Sequence, residues 1–178
     1  MTVTYVFDTG PLSVFARSQW LGVLKAVVQG SRAAIPDLVA AEVAGATAEH
    51  PHLHAVQEAD WLEVITIDTT DQLAALVHYE QRLVGPSGRN LGECGVLALA
   101  ESITGAVAVV DDRVARRAGL DRHVEVRGSL GLMCEAIRKG LLTVPLVSAV
   151  ADDLLEHEYR LPFGPGGFAA WAEREGLF

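Results

Sequence analysis

The chain has 178 residues, half of them hydrophobic, and a formal net charge of −9. That length suits one domain able to bury a core without disulfides or a structural metal, and the composition is neither low-complexity nor that of a disordered chain. The acidic balance argues against a protein that holds nucleic acid by bulk charge alone, because phosphate binding calls for a basic face.

Val3 to Phe7 is a β-branched and aromatic strand, halted by Asp8-Thr9-Gly10-Pro11. Pro11 suits the first turn of a helix, and Leu12, Phe15 and Ala16 follow at helical spacing. Trp20 to Val28 is a second helical stretch that ends near Gly30. A brief strand from Ala33 to Ile35 leads through Pro36 into a helix reaching Ala46, and residues 49–53 read as a loop. Leu62 to Ile67 is a third strand. Something close to a capping box begins at Thr70, and the helix behind it runs to about Val84. After a loop at Gly85-Pro86-Ser87-Gly88, an Ala- and Leu-rich helix spans Leu91 to about Thr104. Ala106 to Val110 is a strand ending at Asp111-Asp112, and a short basic helix then closes at Gly119. Val124 to Val126 is the last strand, followed by a helix from about Ser129 to Lys139. Strands separated by helices imply an α/β fold with a mostly parallel sheet covered on both faces. Residues 1–142 carry that pattern. Residues 143–178 read as a helical extension of the same domain, with an amphipathic helix from Pro145 to Tyr159 and a last turn or two from Phe168 to Arg174.

The acidic residues fall in telling places. Asp8 follows the first strand, and Asp111 and Asp112 follow a later one. In open parallel sheets ligands bind in the crevice beyond the carboxyl ends of the strands. Glu42 shares a helix face with Leu38, Val39 and Ala46, and Glu93 shares one with Val96, Leu97 and Ala100. A carboxylate on an apolar stripe is costly without a metal or a base beside it. The bland readings stand alongside. Asp8 and Asp111 suit turns or helix caps, Glu93 suits a helix N-terminus, and Glu42 suits a partly exposed helix face. If the four converge, mutual repulsion raises their pKa values and divalent cations relieve it. Mg²⁺ or Mn²⁺ takes hard oxygen ligands of this kind, and phosphodiester hydrolysis is the chemistry that suits them.

Other signals weigh less. Asp8-Thr9-Gly10 resembles an aspartic-protease motif, but that chemistry needs a second copy and an all-β chain. His50, His52 and His54 read as a solvated segment, without a Cys or a further His block to make a zinc site. Cys94 and Cys134 fit no metal or redox spacing and read as small core residues. Seven of the 14 Lys and Arg lie between positions 113 and 139. Among them Arg113, Arg116 and Arg117 are either a solvated face or an RNA-phosphate contact beside Asp111. With no secretory leader and no stretch of ~18 consecutive apolar residues, a cytoplasmic, membrane-free location is expected.

Taken in order, five blocks resemble the PIN-domain nucleases, and among them the VapC-like toxins. They are Tyr5-Val6-Phe7-Asp8-Thr9-Gly10-Pro11-Leu12, Ile35-Pro36-Asp37-Leu38-Val39-Ala40-Ala41-Glu42, and Leu91-Gly92-Glu93-Cys94-Gly95-Val96-Leu97-Ala98-Leu99-Ala100. Val109-Val110-Asp111-Asp112-Arg113-Val114-Ala115-Arg116 is the fourth, and Gly128-Ser129-Leu130-Gly131-Leu132-Met133 with Lys139-Gly140-Leu141-Leu142 the fifth. The resemblance implies a parallel sheet between helices and metal-binding carboxylates at Asp8, Glu42, Glu93 and Asp111. It also implies ribonuclease activity with Mg²⁺ or Mn²⁺, and a small antitoxin as partner. Asp111 is favoured as the direct ligand, with Asp112 as an outer helper. Gly10 departs from the Ser or Asn usual at that position, so any hydrogen bond lost there falls to Thr9, Ser13 or water. A homodimer is expected. Leu12, Phe15, Trp20, Leu21 and Leu24 are either a partner surface or core. The alternatives are a PIN nuclease with a housekeeping or repair role, or an inactive PIN-like binding module.

Overall fold

A computed structural model describes residues 2–84 and 90–177. Five parallel strands form one sheet in the order β3-β2-β1-β4-β5, with β1 at Thr4–Phe7, β2 at Arg32–Pro36, β3 at Glu63–Ile65, β4 at Ala106–Val109 and β5 at Glu125–Arg127. Every residue of β1 and β4 is buried. That is why these strands read as unbroken apolar runs: a central parallel strand has no solvent face. The two edge strands are short and carry charge. Glu63 of β3 pairs with Arg32 at 2.6 Å, and Glu125 and Arg127 of β5 pair with each other at 2.7 Å. Charged, short edges discourage further strand pairing.

The connections are α1 (Thr9–Arg17), α2 (Leu21–Val27), α3 (Asp37–Ala46), α4 (His54–Gln57), α5 (Thr70–Leu83), α6 (Leu91–Ser102), α7 (Arg113–Leu120) and α8 (Ser129–Arg138). Two more helices follow, α9 (Val144–Glu156) and α10 (Phe168–Arg174). The chain lays down β1, β2 and β3 outward in one direction, then returns to place β4 and β5 on the other side of β1. Right-handed crossovers on such a path put helices on both faces. The strand order therefore reverses between β1 and β4, where a crevice opens at their carboxyl ends.

Several expectations shift. The cap of α5 is Thr69 rather than Thr70; its hydroxyl accepts from the Gln72 backbone N–H, and Gln72 reaches back to the Thr69 backbone. Residues 51–57, read in part as loop, form a 3₁₀ turn at Pro51–Leu53 and then α4. The third strand is shorter than expected. The loop read at Gly85-Pro86-Ser87-Gly88 lies outside the described residues. Leu12, Phe15 and Leu24 are fully buried and Trp20 and Leu21 half-buried against them, so this apolar set is core, not an open partner surface. Cys94 and Cys134 are buried free thiols. The C-terminal extension joins the same core: Val147, Val150, Leu154 and Phe168 belong to one buried cluster with the sheet. No helix among the described residues is long and apolar enough to cross a membrane.

Candidate active site

Asp8 comes directly after Phe7, and its backbone N–H extends the β1–β4 pairing by donating to the Val109 carbonyl at 3.1 Å. Its backbone then turns (φ −84°, ψ 160°) to cap α1, with Oδ2 accepting from the Gly10 N–H at 3.2 Å. The cap reading of Asp8 is thus true, but it does not account for the electrostatics. A carboxylate whose only task is capping has its pKa lowered. Asp8 is only 6% exposed, and burial first, then the Glu93 carboxylate, push its pKa up to about 8. The Gly10 N–H opposes that rise, and Glu42 adds to it.

Glu42 arrives from α3 and Glu93 from the first turn of α6. Gly92 lets them meet. A methyl group on Gly92 would stand 2.6 Å from Oε2 of Glu42 and 3.5 Å from Oδ1 of Asp8. The absence of a side chain there opens the space in which the carboxylates of β1 and α3 face the N-terminal turn of α6. The Thr9 hydroxyl donates to Oε2 of Glu42 at 2.9 Å, and Ser13 pairs with the His52 ring at 3.0 Å. Glu42 proves exposed, the buried face of α3 being Val39 and Val43. The apolar-stripe argument therefore does not hold for it. Glu93 is half-buried in a helix otherwise buried nearly all round. Burial raises its pKa, its own backbone N–H counteracts, and Glu42 and Asp112 raise it further.

The adjacent pair divides its labour. Asp111 turns toward α8, accepting from the Ser129 N–H and the Ser129 hydroxyl, both at 2.7 Å. Burial and this carboxylate also push the Tyr159 hydroxyl above its ordinary value. Asp112 is exposed, caps α7 through the Ala115 N–H at 2.7 Å, and is the one of the pair whose charge reaches Glu93. Of the basic residues singled out, Arg117 is tied to Asp121 at 3.1 Å, while Arg116 lies across Gly128 toward Asp111. A methyl group on Gly128 would be 2.9 Å from the Arg116 guanidinium and 3.2 Å from Asp111. Tyr159 and Ser129 are the site neighbours that sequence reasoning missed. Only the Gly-Ser after the last strand, a helix-start signal, pointed to Ser129.

As placed, no three His, Cys, Asp or Glu side chains among the described residues close around a common point tightly enough to chelate an ion. The donor set still fits a hard divalent cation: all-oxygen, drawn from three elements, and holding one buried carboxyl that burial and neighbouring carboxylates push well above its ordinary pKa. No curated protein and no solved structure matches the chain. The family model for the PIN domain matches residues 4–163, from the first strand into the C-terminal extension. Members of that family are generally nucleases that use divalent metal ions. With a five-stranded parallel sheet whose reversal point gathers Asp8, Glu42 and Glu93, and with that match over most of its length, the chain belongs to the PIN-domain family.

Proposed function

We propose that the protein is an endoribonuclease that hydrolyses phosphodiester bonds with Mg²⁺ or Mn²⁺ held by Asp8, Glu42, Glu93 and Asp112. The observation that carries this is the meeting of carboxylates around Gly92: Asp8 is buried, and a methyl group on Gly92, the residue before Glu93, would stand 2.6 Å from Oε2 of Glu42 and 3.5 Å from Oδ1 of Asp8. Carboxylates drawn together around a buried one favour a cation among them. A bound divalent ion supplies a water of lowered pKa and positive charge for the leaving oxygen. The chain's own residues do the rest. Asp8 is fixed by the Gly10 N–H, Thr9 orients Glu42, and Gly92 leaves room between the carboxylates. Asp112 stands exposed at the mouth, and Asp111 is a positioning residue that ties the end of β4 to α8.

The deciding assay compares wild type with Asp8→Asn on single-stranded RNA. Cleavage in Mn²⁺ is expected for the wild type, abolished by chelator and reduced by roughly 10²-fold or more in the variant, since a pre-placed charge of this kind contributes several kcal/mol to a transition state. Equal behaviour of the two proteins would overturn the reading. The resemblance to VapC-like toxins extends it to the toxin of a toxin–antitoxin pair, working as a cytoplasmic homodimer. Co-purification of a small protein encoded beside it tests the pairing, and light scattering tests the dimer.

A further inference from the structure

Beyond the carboxylates lies a second feature with chemistry of its own. A cleft of about 430 Å³ opens between α8 and the C-terminal segment, with Asp111 and Gly128 at its inner end. Its size lies within the range of small-ligand pockets. Arg116, Arg138 and Arg160 line it together with Tyr159 and Trp171. In an acidic protein most cations are spent on ion pairs, and here Lys25, Arg32, Arg82, Arg117, Arg122, Arg127 and Lys139 all have one. Six described arginines are in no ion pair, Arg17, Arg113, Arg116, Arg138, Arg160 and Arg174, and three of them, Arg116, Arg138 and Arg160, face one hollow. The opposing carboxylates are Glu175 on the wall and Asp111, whose oxygens are already engaged by Ser129. Three guanidinium groups around one hollow, of which Arg138 also donates to the Leu177 carbonyl at 3.4 Å and Arg116 lies toward Asp111, make an anion site. Aromatic rings beside them suit an anion that carries a planar group.

We propose that this cleft takes a nucleotide flanking the cleaved position of a single-stranded nucleic acid, its phosphate on the three arginines and its base against Trp171. The inference rests on the nuclease reading and specifies its substrate. Asp111 joins the cleft to the carboxylates, because the next residue in the chain is Asp112, whose charge acts on Glu93. A strand lying over the carboxylates can therefore continue past Asp112 and Asp111 into the cleft. A paired, stacked base cannot reach an aromatic wall inside a hollow, so the substrate is single-stranded. The groove on the outer face of α7, lined by Arg113, Val114, Arg116, Arg117 and Leu120, shares Arg116 with the cleft but is a weaker candidate, because Asp121 already holds Arg117 and no aromatic ring among the described residues lines it.

The test measures binding without turnover, by fluorescence anisotropy of a labelled single-stranded oligonucleotide on Asp8→Asn protein at several salt concentrations. Adding Arg138→Ala and Arg160→Ala is expected to weaken binding roughly tenfold and to flatten the salt dependence by about 0.7 in log–log slope per arginine. Trp171→Leu is expected to weaken it at least about fivefold with the slope unchanged, as loss of stacking without loss of charge. Trp171 packs against Phe163 at 5.2 Å between ring centroids, so Trp171→Tyr, which keeps a ring, serves as the folding control. Arg160 is exposed, and Arg160→Ala alone should still weaken binding in a protein with unchanged melting. The proposal is overturned if the arginine variants bind like their parent, if Arg113→Ala/Arg117→Ala weakens binding as much, or if duplex or inorganic polyphosphate competes as well as the oligonucleotide. Wild-type protein that fails to cleave while cleft-dependent binding persists overturns the nuclease reading alone. Cleavage with binding indifferent to the cleft variants overturns this inference alone.

Discussion

Asp8 gives the clearest pH signature of any single residue. Its pKa rises from 3.8 to about 8 on folding, so between those values the folded chain binds more protons than the unfolded one. Stability then falls as pH rises through that window, and Asp8→Asn, which does not titrate, escapes the loss. In chelator the variant should gain steadily on wild type from pH 4 to pH 8, by up to about 1.4 kcal/mol per pH unit. Mn²⁺ should recover the wild type's deficit at pH 8. Denaturation midpoints at a series of pH values measure this, and a gap that stays flat would remove Asp8 from the carboxylate cluster. Its neighbours at the end of β4 should separate stability from activity. Asp111→Ala leaves Ser129 without its acceptor and should cost about 1–3 kcal/mol in urea unfolding. Asp112→Asn keeps a good cap and should cost under about 0.5 kcal/mol while lowering metal-dependent cleavage. The reverse pattern would return Asp111 to the site. The sequence reading favours Asp111 as the direct ligand; the structure instead ties Asp111 to Ser129 and leaves Asp112 as the one acting on Glu93, and which of the two faces the carboxylates depends on where β4 ends. Regular pairing stops at Val109, and Val110 bonds on to the Arg127 carbonyl, which carries Asp111 toward α8.

Among the elements, α6 holds the site together. It crosses β1, β2 and β4 and packs against α3, α5 and α7. Its approach to α3 depends on Gly95: a methyl group there would meet Leu38 at 2.9 Å and Pro36 at 3.3 Å. Alanine is the better helix former by about 1 kcal/mol. Overpacking typically costs about 1–3 kcal/mol, so Gly95→Ala should be net destabilising and should move Glu42 away from Glu93. Unfolding and cleavage should both suffer; a variant stabilised by the full propensity gain would show that the two helices have room to part. At this scale the chain was largely readable. The central strands are β-branched or apolar runs cut off by Asp, Pro or Gly, and α6 is an unbroken Ala and Leu helix. What resisted reading were features set by tertiary contact. His50 to His54 looks like polar loop until Leu53 and Val56 are seen anchored in the core, and Glu42 looks buried by its helical neighbours although the carboxylate itself lies at the surface.

For the molecule as a whole, the C-terminal extension is part of the core. Phe168 is fully buried and stacks near Phe163 and Trp171. Phe168→Ala should cost about 3–5 kcal/mol, measured by chemical denaturation. A loss below about 1 kcal/mol would mean that the extension docks without contributing to the fold. The N-terminal apolar helices show the limit of sequence here: Leu12 and Phe15 have the spacing of either a partner face or a core face, and only the sheet beneath them decides. The extension has another consequence. The family match stops at residue 163, whereas Trp171, Glu175 and Leu177 complete the arginine cleft from beyond it. The acidic residues that would perform hydrolysis and the three arginines thus lie inside the family match, while the wall that carries the Trp171 ring lies outside it. On the proposed reading, substitutions at Trp171 would retune selectivity while leaving the carboxylates untouched.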